Sequence, residues 1–202
     1  EVFFNQNNDD LSYGSATAAD YRGVYLLTEV IRPDSDRVDI TKMSLADTSL
    51  PGISGGLILK VDRKDADEFG WHTTRNLPPL DWLLVYRPKL ADLNEAQKDH
   101  ITNYFQDFEN ALYTEHASGF PTRNYRKYID SRSWADFNIF NMLPKNVDAL
   151  RLSSYFTKDR GRPIEGGPLW DFDRSANNDD TGDNRDSDPT GWRGTGDATD
   201  YF

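Results

Sequence analysis

The sequence of 202 residues contains no cysteine. Disulfide staples, zinc–thiolate sites and a cysteine nucleophile are therefore excluded. The redox compartment stays open, because a secreted protein need not use cysteine. Basic charge is also short: 23 Lys and Arg stand against 34 Asp and Glu, a formal net charge of −11. A general nucleic-acid binder, or a protein held on an anionic membrane, needs a basic face, so neither is expected. No apolar run approaches the roughly 20 residues of a membrane span, and no membrane insertion is expected. No signal peptide is legible. The chain opens inside a strand-like Val2-Phe3-Phe4, so the expectation is a fragment whose true N-terminus lies upstream. Trp192, Tyr201 and Phe202 likewise point to a core continuing past the last residue. Histidine is scarce, three in all. His72 falls in a loop and is expected to be solvated; His100 and His116, beside or just past a helix, are read as structural.

What is present predicts one domain. The hydrophobic share of 37% is low for a globular chain, but aromatics at 13% predict a substantial core. The length suffices for a single core. Residues 1–5 read as a strand. Tyr21–Ile31 reads as a second, with apolar residues on both faces, and so as a central, doubly covered strand. A short edge strand is expected at 36–40. A third main strand is expected over 53–61, where Gly55-Gly56 permits a bulge or a close backbone approach, and a fourth at 82–86. Residues 93–113 form the clearest helix, capped by Asp92 or Asn94. Its stripe of Ile101, Phe105, Phe108 and Leu112 is read as core. A short helix is expected over 125–130. Ser133 is expected to cap a further helix over 134–143. Pro144 should end it, because the residue before proline avoids helical angles.

The stretch from Pro144 to Asp173 carries the chemistry. Asp148 follows the expected helix. Residues 152–157 are β-rich, Lys158-Asp159-Arg160-Gly161 is turn chemistry, and Gly166–Trp170 runs back into Asp171-Phe172-Asp173. A hairpin would bring Asp148 and Asp171, 23 residues apart (171 − 148), to one end. Phosphoryl transfer needs an acid near the attacking hydroxyl and carboxylates holding magnesium on the phosphates. Asp148 suits the first role and Asp171 the second. In an extended strand Asp173 faces the same way as Asp171. The plain alternative is that both acids are solvated turn residues.

Four blocks together resemble the spore coat protein H (CotH) kinase family: Asp20–Glu29, Gly55–Arg63, Lys145–Asp148 and Gly167–Asp173. They occur in the family's order over most of the chain. The resemblance implies an α+β, atypical protein-kinase-like fold. Residues 1–31 would hold the end of a small lobe and the hinge; residues 32–202 would be a mainly helical large lobe with the catalytic hairpin. It implies magnesium- or manganese-dependent use of ATP to phosphorylate Ser or Thr of a secreted or surface protein, at a bacterial cell surface. By position, Asp148 matches the catalytic Asp and Asp171 the metal Asp. By kinase analogy, the backbone of Glu29, Val30 and Ile31 would bind adenine.

Three departures from the family pattern are visible. Lys60 stands where an acid is expected, and it is not read as the phosphate-binding lysine, which would lie upstream. Ser153 occupies the position five after Asp148, where kinases place an Asn for a second metal; either Asn146 holds that metal or it is absent. Arg174-Ser175-Ala176-Asn177 lacks the expected glycine. The acidic stretch 178–189 does not fit an EF-hand register. Two functions therefore stand side by side, a surface-protein kinase and a catalytically weak, kinase-like scaffold or adhesion module. A glycosidase built on paired carboxylates is a distant third.

Overall fold

The computed structural model describes residues 2–4, 13, 20–25, 27–75 and 82–178. The chain divides into two compact units, residues 1–30 and 31–202. The first holds a two-stranded antiparallel ribbon, β1 (Val2–Phe3) and β2 (Tyr21–Gly23). Phe3, Tyr13 and Tyr21 pack edge-on or tilted against one another there, with ring centroids 5.0–5.4 Å apart. The long strand expected over 21–31 ends at Gly23, whose φ of +115° leaves the β region. Val24, Tyr25 and Leu27 beyond it are exposed. Apolar content on both faces signalled a covered strand, but those three side chains are exposed.

The second unit is α+β. Its five-stranded antiparallel sheet runs in the order β4 (Phe69–Trp71), β5 (Trp82–Arg87), β3 (Leu57–Asp62), β6 (Ser154–Lys158), β7 (Ile164–Gly166). Two α-helices accompany it, α1 (Glu95–Ala117) and α2 (Ser131–Met142). This architecture is compatible with a kinase-like fold, although a mainly helical lobe was expected here. The β-branched and aromatic runs of β3, β5 and β6 dictate the sheet, because such side chains fit a pleated, half-buried surface.

Period-two alternation gives the sheet two covered faces. Leu57 and Leu59 of β3, with Val85 and Phe156, pack on Ile101 and Phe105 of α1. Ile58 and Tyr155 point the other way, against Ile31, Val38, Ile40 and Trp170. The expected strand over 36–40 is reduced to a single bridge, Pro33 to Val38. Gly55 makes the close approach that its sequence context predicted. A Cβ there would lie 2.2 Å from the Asp159 backbone, so any larger residue would push the β6–β7 turn away.

Helix α1 begins with a capping box: Asn94 accepts from Gln97 N and Gln97 Oε1 accepts from Asn94 N, at 2.9 and 3.1 Å. Its cap is therefore Asn94, and its last turn passes the expected end at 113. The expected short helix over 125–130 is a 3₁₀ turn over 124–127. Asp130 caps α2 by accepting from Ser133 N at 2.7 Å, so the cap lies three residues ahead of the expected one. His72 is not solvated. Its ring packs 4.2 Å from that of Trp82, and both ring nitrogens are buried without a hydrogen-bond partner. No helix among the described residues is long and apolar enough to cross a membrane.

Lys158, at the end of β6, is 2% exposed. Its Nζ donates to Ser54 O at 2.5 Å and Asp159 O at 3.1 Å, and lies 4.9 Å from the Tyr104 ring centre. Burial pushes its pKa down to about 8, with Asp159 opposing, while His100 on α1 is also lowered, by burial and by Lys158. An ammonium that sheds its proton more readily when folded penalises folding while it is charged. Stability should therefore rise as pH climbs from about 8 towards 10. A gain of up to about 3 kcal/mol corresponds to a shift of this size. Above that window Tyr104, held up at about 12 by burial, reverses the slope. Urea midpoints measured between pH 7 and 10 should climb for the wild type and stay flat for Lys158→Met. Equal slopes would refute this assignment.

Candidate active site

The end of α2 builds the first half of the site. Asn146 N donates to Asn141 O at 3.0 Å and Lys145 N to Met142 O at 3.1 Å. This is the Schellman pattern, with Lys145 in the left-handed position at φ +56°. Pro144 does not end the helical geometry, because Leu143 before it keeps φ −57° and ψ −50°. The turn is made one residue later, by Lys145. Asn146, 2% exposed, then ties the region together. Its Nδ2 donates to Asn141 Oδ1 and to Asp171 O, both at 3.2 Å, and its Oδ1 accepts from Asp148 N at 3.2 Å.

The second half comes off β7. Trp170 packs on Tyr155 of β6, ring centres 6.3 Å apart, and fixes the approach to Asp171. Asp171 Oδ2 accepts from Ser153 Oγ at 2.8 Å. Val147 N donates to Arg174 O at 3.3 Å, and Ala176 N to Pro144 O at 2.6 Å. The two acidic loops are thus stitched side by side across the base of the β6–β7 hairpin. Among the described residues, six of the eight non-glycine residues at positive φ lie between 145 and 177, including Leu150 (+66°), Ser153 (+50°) and Asp171 (+61°). Such angles cost of order 1–3 kcal/mol each and gather at functional sites.

Asp148 has a 15% exposed side chain and meets two guanidiniums. Arg151 Nη2 is 2.7 Å from Oδ1, and Arg174 Nη1 is 3.3 Å from each carboxylate oxygen. Asp171 and Asp173 are exposed. Their carboxylates are hard oxygen donors of the kind magnesium takes one or two of, beside phosphate and water, so this donor set fits that ion. Asp148, Asp171 and Asp173 do not gather into a tight three-acid cluster. The three acids that do so among the described residues are Asp65, Asp67 and Glu68, with ligand atoms within 4.8 Å of one another. There Lys60 reaches Glu68 at 3.2 Å and Lys89 reaches Asp67 at 3.0 Å, supplying the counter-charge.

Of the residues named from sequence, Asn146, Asp148 and Asp171 share one hydrogen-bonded network, and Asp173 follows on the same loop. Glu29 and Val30 are exposed and belong to the first unit; Ile31 is buried in the second against Ile58 and Tyr155. The acidic stretch from residue 179 onward lies outside the described residues. Sequence reasoning missed Arg151 and Arg174. For Arg151 a signal was present, its place three residues after Asp148; Arg174, 26 residues on, gave none.

A family model described as CotH kinase protein matches residues 1–200. No curated protein and no solved structure matches the chain.

Proposed function

The chain belongs to the CotH kinase protein family, and from that premise we propose that it is a magnesium- and ATP-dependent kinase for Ser or Thr of a secreted or surface protein. The observation that supports this most is the cross-bracing of the Asp148 and Asp171 loops through Asn146, Ser153 and Arg174. Asp148 orients the acceptor hydroxyl and holds its proton. The hydroxyl oxygen bonds to the terminal phosphorus as the bond to the bridging oxygen breaks, and that electron pair leaves with ADP. Asp171 and Asp173 would hold magnesium, which when bound neutralises the phosphate tail. Asn146 acts here as a positioning residue, because its amide is committed to both loops.

Asp171→Asn removes a carboxylate charge and keeps its shape. The variant should lose the thermal shift that ATP with magnesium gives the wild type, with its melting point alone nearly unchanged. Retained magnesium-dependent ATP binding would take Asp171 out of the metal site.

One observation favours the scaffold alternative. Ser153, a poorer magnesium ligand than the Asn kinases place there, stands at the position of a second metal ligand and donates its hydroxyl proton to Asp171. If neither magnesium nor manganese lets ATP shift the wild-type melting point, the scaffold or adhesion module becomes the reading.

A further inference from the structure

We propose that Arg174, assisted by Arg151, is a catalytic cation of the transfer itself: its guanidinium meets the phosphoryl group as it passes to the acceptor. The inference rests on the kinase reading above, which uses Arg174 only as a brace between the two loops. Asp148 marks where the acceptor hydroxyl sits. A reacting hydroxyl lies within about 3–3.5 Å of the phosphorus it attacks. Arg174 Nη1, already 3.3 Å from both Asp148 oxygens, therefore borders the path of transfer. Its side chain is 29% exposed and that of Arg151 26%, so both stay reachable by a ligand while paired.

Charge gives the reason for two arginines. The chain carries −11 overall, and Asp148, Asp171 and Asp173 place three of its carboxylates on these two loops. A nucleoside triphosphate approaching them meets repulsion that one divalent ion only partly relieves. Two guanidiniums on one carboxylate add positive charge at the point where the equatorial phosphoryl oxygens gain negative charge. Fixed donors at such a point act on the transition state more than on the ground state. The forked, planar guanidinium also matches a phosphoryl group in two places at once. The backbone of Arg174 is held to Val147, so the cation is carried on the same brace that carries Asp148.

The test uses the full 202-residue chain with Arg174→Met and Arg174→Lys. Binding of ADP with magnesium is measured first, then binding of ADP with magnesium and aluminium fluoride, which imitates the phosphoryl in flight. In the wild type the fluoride adduct should bind at least tenfold more tightly than ADP alone. Arg174→Met should abolish that increment, keep ADP affinity within about twofold, and lower the transfer rate about 10²–10³-fold, the range for removing one transition-state donor. Arg174→Lys should recover part of both. If the increment survives in Arg174→Met, or if ADP and adduct affinities fall together, the arginine only positions Asp148 and the proposal is overturned. A wild type that binds no nucleotide removes the kinase reading and this inference together. A wild type that transfers phosphate, beside an Arg174→Met variant of equal rate, removes this inference alone.

Discussion

Asp148→Asn is expected to leave magnesium-dependent ATP binding within about threefold of wild type while phosphate transfer falls about 10²–10⁴-fold, the usual contribution of a positioned acid–base group. The separation follows from the layout. Asp148 is on the α2 side of the brace with its carboxylate against Arg151 and Arg174, whereas the exposed acids proposed for metal and phosphates are on the β7 side. An amide keeps the side-chain volume and one oxygen for the arginines but cannot take the hydroxyl's proton. The substitution also leaves two guanidiniums facing a neutral group, so a fall of a few degrees in melting point is expected. Single-turnover transfer with saturating ATP separates that fall from the chemical step. Transfer within a factor of five of wild type by a folded, ATP-binding variant would remove Asp148 from the role it has here.

Lys60→Met is expected to destabilise the fold by about 3 kcal/mol, because removing one partner of a buried ion pair strands the other. Lys60 is 5% exposed on β3, and Glu68 is fully buried ahead of β4, 3.2 Å away. Asp62 lies 3.6 Å from the same ammonium, and Lys89 reaches Glu68 only at 3.7 Å. With Lys60 gone, Glu68 Oε1 keeps a single distant cation. Urea unfolding at pH 7 reads the loss directly. Lys60→Met with Glu68→Leu should recover most of it, since a well-packed apolar pair of similar volume often matches a buried ion pair. A single variant as stable as wild type would show the pair to be idle. Lys60, where an acid was expected, is thus neutralised locally by Glu68.

The sheet was largely legible because its information is local. The short apolar runs in Leu57–Asp62 and Trp82–Arg87, the turn chemistry at Asp159–Gly161 and the stripe of α1 each state their element within a few residues. What failed depended on partners distant in sequence. Tyr21–Ile31 has strand composition, but only Tyr21–Gly23 finds a ladder. Ser133 looks like a cap until the chain entering α2 places Asp130 where it bonds Ser133 N. β4 was hidden because three residues around a glycine make no pattern, and Gly70 is there because the Leu84 side chain closes over it, 2.6 Å from a would-be Cβ. The site was half legible. Two acids flanking a hairpin can be read from spacing and turn residues. Arg151 was within reach of the same reasoning, three residues after Asp148, but Arg174 was not, because it meets Asp148 only once the two loops lie side by side.

The Schellman end of α2 indexes the acidic loop to the helix. Asp148 is counted from Asn141 through a fixed set of backbone bonds rather than hung from a proline hinge. One residue added within α2 would turn everything downstream by about 100° and advance it by about 1.5 Å. The reach of that carboxylate is therefore set by the phase of a helix whose own side chains never touch the reaction. Length changes in that helix are therefore expected only in steps of three or four residues, the nearest to a whole turn.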